Sequence, residues 1–559
     1  MINRPMSLRW TKWFLMLAAA WGAAGWLVVP AIIRSAYGDG LFGFLGGFMG
    51  GRDSHAVSHY LGIWERLAVL ALLVLIGAWI VGLIVMQPVT RRLVRQAGRA
   101  AYFALPTFGG RVQRRTMAVV AGLSVITIAA QANYLPDRWE DAVGHEYESV
   151  AMGLLAGHGF SFPPGARWLV LDDEPGADQH GTTAWKEPVY PNFLAASFRV
   201  FGPRYGRLAV ILCQIGFLFG ACLVLYHLGT RLFGPGVGIA AALVTALNLD
   251  LHWIVSLSLQ VPAVSGLLLL GGLLLMFRYA EQPSARRAAW LGLYLGVAAL
   301  THAVLIVLVP IAGLFVLLHG RERNWPGAVK PALLLGLVAA LTISPWTARN
   351  YMQFRHIIPV QTGFGLFANV TNPYVAETYR ADLDACGDGS EPAYRADGPL
   401  DALRTLRAAR NYSAIHVRGV GCVAAAHEDV YLSLNEHERD GLHKQQFVAF
   451  ITEHPGDFFA LTAGKTLLYL LDVPIGGRGS VPLAALAILG IIVTVRRPKM
   501  WVFPAAILAY AAPFALTGPI YYRYQAPLEM VYALLAVVAV WTVLKGPLQR
   551  VTGAGPTAD

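Results

Sequence analysis

Residues 257–277 read LSLQVPAVSGLLLLGGLLLMF, a run without one charged side chain. A bilayer core about 30 Å thick needs about 20 apolar residues in a helix. Inside lipid every backbone N–H and C=O must pair within its own segment, so this run reads as a membrane-spanning helix. Similar runs lie at 13–33, 67–87, 117–134, 207–229, 234–249, 288–300, 303–318, 331–345, 481–495, 500–516 and 527–544. Together they predict roughly twelve spans, and the alternation of a β-barrel is absent. Composition agrees. Of the 559 residues, 56% are hydrophobic and 14% charged, and the mean hydropathy is +0.51. Typical soluble domains carry about 25% charged residues. So little charge excludes a disordered chain, and it excludes a nucleic-acid binder despite the net charge of +11. The expected fold class is an all-α polytopic membrane protein.

The basic residues orient it. Arg4, Arg9 and Lys12 precede the first run, and Arg91, Arg92, Arg95, Arg99, Arg111, Arg114 and Arg115 crowd the second short loop. Arg286 and Arg287, then Arg321, Arg323 and Lys330, then Arg496, Arg497 and Lys499, and finally Lys545 and Arg550 fall on the same side if the span count holds. Excess Lys and Arg mark the cytoplasmic face. Topology accounts for most of the basic excess, with anionic membrane lipids as a secondary partner. The run 13–33 follows a basic start but is long for a signal peptide and lacks a small-x-small cleavage site, so it is expected to be a retained helix.

Two long segments, 135–206 and 346–480, then face the exocytoplasmic side. Loops of such length in a compact protein are usually functional. The expected organisation is a two-span addition with a basic loop over 1–116, a transmembrane core over 117–345, the second long loop over 346–480, and the last spans over 481–559. Helical patterns cover 435–450 and 457–471, and the latter suits a helix lying on the membrane surface. Cys386 and Cys422 share the second loop and form a candidate disulfide in an oxidising compartment. Cys213 and Cys222 sit within one span as small packing residues.

Chemistry gathers in those loops. Asp137-Arg138-Trp139-Glu140-Asp141 is followed by His145-Glu146-Tyr147-Glu148, and a helical pattern over 145–156 stops at Gly157. Acids at a helix start favour its positive dipole end. The alternative is that a carboxylate at the membrane boundary acts as a general base. Next come Gly181-Thr182-Thr183-Ala184-Trp185 and Pro188-Val189-Tyr190-Pro191, a rigid turn preceding a helix, with Trp185 and Tyr190 as interfacial aromatics. At the second loop the chain leaves a span through Ser344-Pro345-Trp346-Thr347-Ala348-Arg349-Asn350-Tyr351. Arg349 can snorkel, or its planar fork can hold a phosphate. Near the end, Tyr521-Tyr522-Arg523-Tyr524 offers a second cation ringed by aromatics, ahead of Pro527.

The order of these segments resembles the GT-C glycosyltransferases, in the branch of the protein O-mannosyltransferases and aminoarabinose transferases. It runs from an acidic helix, through Gly-x-Gly-Phe, Pro-x-Tyr-Pro and Phe-Gly, to Pro-Trp-x-x-Arg-Asn-Tyr and Arg-Tyr-x-x-Pro, and covers roughly residues 135–530. The resemblance implies a GT-C-like helical bundle and a polyprenyl-phosphate-linked sugar as donor. It implies a lipid, glycan or protein acceptor, and a bacterial inner membrane with the site facing the periplasm. Its signature acid maps best to Glu146, with Asp141 as the rival and His145 and Glu140 behind. The family's phosphate-binding arginines map to Arg349 and Arg523, with Tyr522 beside the latter. Tyr147, Trp185, Tyr190, His302 and Asp250 are expected to line the substrate site. The chain departs from the family's pattern at Val143, where relatives carry an acid, and at Gln260. Arginines would stabilise the departing phosphate while the carboxylate takes the acceptor's proton, and direct displacement would invert the anomeric centre. A divalent metal is left open, because Glu146 and Asp141 are too sparse to define a site. The rival readings are a transporter or lipid flippase, or a non-catalytic polyprenyl-lipid-binding relative. Charges crowded at the lips of the spans rather than at the midplane favour the enzyme.

Overall fold

In a computed structural model of the chain, the described residues are 145–162, 181–257, 259–321, 325–365, 368, 434–471, 481–517 and 522–552. The expected spans 13–33, 67–87 and 117–134, together with Asp141, Cys386 and Cys422, lie outside the described residues. Among the described residues, four helices are long and apolar enough to cross a membrane: Tyr205–Phe233, Pro262–Glu281, Gly327–Phe354 and Arg523–Val543. Shorter apolar helices cover Pro235–Ala246, Ala303–His319, Val481–Thr494 and Val502–Leu516.

Helix α1 (His145–Leu155) keeps Glu146 and Glu148 in its first turn, and the chain leaves it through Gly157 at φ 83°. Glu148 is held by Arg207 Nε at 2.8 Å. The sequence reading expected helices alone. Instead, β1 (Ser161–Phe162) and β2 (Gly181–Thr182) form a small antiparallel ribbon, pairing Ser161 with Thr182 and Phe162 with Gly181.

The expected turn at 188–191 is the first turn of α2 (Val189–Phe233), where a proline's missing N–H has no intrahelical partner to lose. Gly202, at φ 73° and ψ 164°, breaks α2 into a short amphipathic piece and a membrane-length one. Within α2, Cys213 is exposed and Cys222 buried, both as free thiols. After Gly234, Pro235 opens α3 (Pro235–Ala246), and α4 (Leu249–Leu257) follows. The expected span 257–277 is broken. Helix α4 ends at Leu257, and α5 (Pro262–Glu281) begins only at Pro262. A proline inside a helix loses a backbone hydrogen bond, so the chain restarts there with proline at the first position.

Ser284 caps α6 (Ala285–Thr301), accepting the Arg287 N–H. A 3-10 turn, Ala303–Val307, leads into α7 (Leu308–Arg321). Helix α8 (Trp325–Phe354) absorbs Pro331 and Pro345 and continues well beyond the expected end at 345, so Trp346, Arg349 and Asn350 are helical rather than in a loop. Within the second long segment, α9 (Glu436–Glu453) starts with a capping box between Asn435 and Glu438. Then come α10 (Pro455–Leu470), α11 (Val481–Thr494), α12 (Val502–Thr517) and α13 (Tyr522–Thr552). On α10, Lys465 is turned inward at 1% exposure, and burial pushes its pKa down to about 7.

Lipid tails are as apolar as Leu, so helices in a bilayer associate through close contact at small residues. A Cβ on Gly292 of α6 would lie 2.3 Å from the Leu335 carbonyl oxygen of α8, and one on Gly490 of α11 would lie 2.1 Å from that of Leu535 on α13. Helix α5 is 78% buried over its apolar window against 22% for α8, so α5 runs through the interior and α8 along the outside.

Candidate active site

The first long segment, the break before α5, the 3-10 turn, α12 and the start of α13 converge on a cavity of about 600 Å³. Its charged lining consists of Glu146, Lys186, Glu187 and Arg523, joined by Tyr147 and His302. Apolar lining comes from Ile306 and Val307 of the 3-10 turn and from Ala509, Ala512, Pro513 and Phe514 of α12. One wall is therefore ionic and another is suited to hydrocarbon.

Glu146 forms an ion pair with Lys186. The Lys186 ammonium also lies 4.9 Å from the Tyr147 ring centre and 5.8 Å from that of Trp185, so its charge is stabilised by two π-faces. The neighbouring Glu187 is buried. It accepts the Ala303 N–H at 2.5 Å and the Tyr147 hydroxyl at 3.2 Å. Burial pushes the Glu187 carboxyl above the usual carboxylate range, against the opposing pull of Lys186 and these donors. Burial, together with the charges of Glu187 and Glu146, pushes the Tyr147 phenol well up, so it stays a proton-bearing donor.

Also in the lining, Arg523 donates from Nη1 to the Gln260 side-chain oxygen and from Nη2 to the Tyr524 hydroxyl, both at 3.1 Å. Its guanidinium lies 4.9 Å from the Tyr524 ring centre. Gln260 occupies this place because the chain breaks before Pro262; its carbonyl accepts the Tyr190 hydroxyl at 2.8 Å. His302 shares a hydrogen bond at 2.9 Å between Nδ1 and Ser265 Oγ.

Of the residues expected from the sequence, Glu146, Tyr147, His302 and Arg523 meet at this cavity. Others do not line it. Arg349 donates to the carbonyls of Thr183 at 2.8 Å and Phe160 at 3.2 Å, and lies 4.8 Å from the Trp346 ring centre. It braces the ribbon of the first segment. Trp185 and Tyr190 are buried at 2% exposure and support the wall from behind: Tyr190 meets Tyr147 edge-on at 5.2 Å. Asp250 lies in the first turn of α4, its N–H held by the Asn248 side chain at 3.0 Å. His145 and Tyr522 open α1 and α13. Asp141 lies outside the described residues. Among the described residues, no group of three or more His, Cys, Asp or Glu is arranged to hold a metal ion.

Sequence reasoning missed Lys186 and Glu187, although they sat between two residues it singled out. Their signal was an adjacent pair of opposite charges ahead of Pro188, in a stretch otherwise made of threonine, alanine and aromatics.

Residues 183–348 match the family model of the dolichyl-phosphate-mannose-protein mannosyltransferases. No curated protein matches the chain. Among solved structures, the chain is similar to the oligosaccharyltransferase AglB of Archaeoglobus fulgidus, solved with an inhibitory peptide and a dolichol-phosphate. Identity there is 14% and the TM-score 0.43, over 81% of this chain and 53% of that one. The chain thus spans about half the length of that archaeal protein. It is also similar to ArnT of Cupriavidus metallidurans, solved bound to undecaprenyl phosphate, at 13% identity and a TM-score of 0.31, over 78% of each chain.

Proposed function

The chain is similar to the GT-C glycosyltransferases, and from that premise we propose that it is an integral membrane enzyme moving a sugar from a polyprenyl-phosphate donor to an acceptor hydroxyl. The observation that carries this reading is the cavity itself, in which Glu146, Lys186 and Arg523 share one enclosure with the hydrocarbon-like wall of α12 and the 3-10 turn. A phosphate with a long isoprenoid tail needs both.

In this mechanism Lys186 and Arg523 hold the donor phosphate. Glu146 accepts the proton of the acceptor hydroxyl as its oxygen attacks the anomeric carbon. The bond from that carbon to the phosphate oxygen breaks, and the electron pair leaves on the polyprenyl phosphate. Attack opposite the leaving group inverts the centre. The developing charge is met by two cations in a partly dehydrated site, where such interactions are strong. The resting ion pair between Glu146 and Lys186 makes Glu146 a poor base. A bound phosphate competes for Lys186 and so frees the carboxylate when donor is present. Glu187 and Tyr147 fix the Lys186 loop, and Arg349 braces it from behind. The acceptor is a lipid, a glycan or a protein, and the site faces the periplasm of a bacterial inner membrane.

The test offers purified protein a panel of polyprenyl-phosphate sugars and measures release of free polyprenyl phosphate. Glu146→Gln is expected to abolish release while the protein still folds. Turnover that survives both Glu146→Gln and Arg523→Ala overturns the mechanism. Donor-independent solute movement in proteoliposomes would support a transporter instead.

A further inference from the structure

Glu436 opens α9, within the second long segment, and takes no part in the cavity lining. Glu436 is half-buried, and its carboxylate packs against the first segment. One oxygen accepts the Thr183 hydroxyl at 2.5 Å, across 253 positions of chain. The other accepts the Ala184 N–H at 3.0 Å and the Thr362 hydroxyl. The same strip is tied again by the Thr362 N–H, which donates to the Ala184 carbonyl at 3.0 Å, and by the Trp185 N–H, which donates to Thr183 Oγ1 at 2.9 Å. Three chain segments thus close on one carboxylate. Lys186 and Glu187 follow Ala184 almost at once in the chain, so the clamp decides where they point.

A buried carboxylate is costly unless its lone pairs are filled, and here hydroxyl and amide donors fill them. Burial pushes the Glu436 carboxyl up, and the three donors oppose that shift. Such a group is not a neutral filler of space. An apolar replacement would leave Thr183, Ala184 and Thr362 with unsatisfied buried donors.

We propose that Glu436 is a positioning residue for Lys186, so that the second long segment completes the donor-phosphate site supplied by the first. This rests on the function proposed above. Glu436 touches neither the phosphate nor the acceptor. It acts by holding residues 183–185, and through them the Lys186 ammonium, against the cavity wall.

The experiment uses the full chain in nanodiscs, with undecaprenyl phosphate as the probe of donor-phosphate binding. Glu436→Ala is expected to weaken that binding at least about tenfold, with Glu436→Gln in between because it keeps one acceptor oxygen. In a Lys186→Met background the Glu436→Ala effect is expected to vanish. Where the wild type binds the probe, equal weakening in both backgrounds, or none in either, overturns the proposal. A second readout needs no ligand: labelling of Lys186 by an amine-reactive reagent, followed by mass spectrometry, with Lys330 as internal control. Glu436→Ala should raise labelling at Lys186 alone, and unchanged labelling overturns the proposal. If the wild type binds no polyprenyl phosphate but the variant exposes Lys186, the proposed function fails and the positioning role stands. Should Glu436→Ala not fold, Thr362→Val against Thr362→Ser removes and restores one donor of the clamp. There, Val but not Ser should raise Lys186 labelling, and equal labelling of the two overturns the proposal.

Discussion

Replacing Lys186 with Met separates what the ion pair does for stability from what it does for catalysis. Side-chain exposure is 7% for Lys186 and 22% for Glu146. Removing one partner of a fully buried pair costs about 3–5 kcal/mol, because the other charge is left without compensation. Glu146 retains some access to water, so the expected loss here is smaller, about 1–3 kcal/mol. Met keeps the length of the stem over Tyr147 and Trp185 but loses the cation–π contacts, worth about 0.5–2 kcal/mol within that total. The double variant Lys186→Met/Glu146→Gln leaves no orphan charge and should regain most of the stability. It should not regain activity. A single preorganised donor to developing negative charge contributes about 2.7–4 kcal/mol to the barrier, or about 10²–10³ in rate. The assay is single-turnover release of polyprenyl phosphate at saturating donor, with melting midpoints followed in the same detergent. The reasoning is refuted if Lys186→Met turns over within about threefold of wild type, or if the double variant is no more stable than the single one.

Arg523→Lys keeps the charge but loses the fork that spans Gln260 and Tyr524, and should raise the donor KM about tenfold; a kinetic titration that leaves KM unchanged removes Arg523 from the phosphate site. Glu187 gives a pH prediction. Its carboxyl is raised above the ordinary carboxylate value of 4.5, so the folded state holds the proton more tightly than the unfolded state. The associated stability is present below 4.5 and is lost as pH rises through the raised value. Melting of wild type should therefore fall over that window relative to Glu187→Gln, and parallel pH profiles would count against it. Gly363 lies at φ 94°, and a Cβ there would come within 2.4 Å of the Trp185 ring. Gly363→Ala should cost about 1–3 kcal/mol in stability and shift tryptophan emission as the indole is displaced; an unaltered melt and spectrum would show that the contact relaxes freely.

Much of this architecture was legible along the chain. The leucine run of α5 needs no partner to be read, because lipid imposes internal hydrogen bonding on any long apolar stretch. Helix α1 announced itself through its acids and its Gly157 stop, and the helical pattern over 435–450 falls on α9. Glu146 and Arg523 stand out because ionisable groups at the ends of apolar helices are few, and their roles are what the resemblance implies. Breaks were harder to see. The run 257–277 looks continuous yet is interrupted before Pro262, while Pro345, at the expected exit of a span, is accommodated inside α8. A proline's local penalty is outweighed or not by packing that its neighbours in sequence do not reveal.

By itself the sequence determined that the chain lives in a membrane and which few charged residues stand near the ends of its apolar runs. Hydropathy and helix-stop chemistry are properties of contiguous residues. Only the tertiary structure decided what those charges do. It turned Arg349 toward the carbonyls of Phe160 and Thr183, paired Lys186 with Glu146, and brought Glu436 across 253 positions to clamp Thr183. A charge takes its role from the burial and partners that surround it, and those come from segments far apart in the chain.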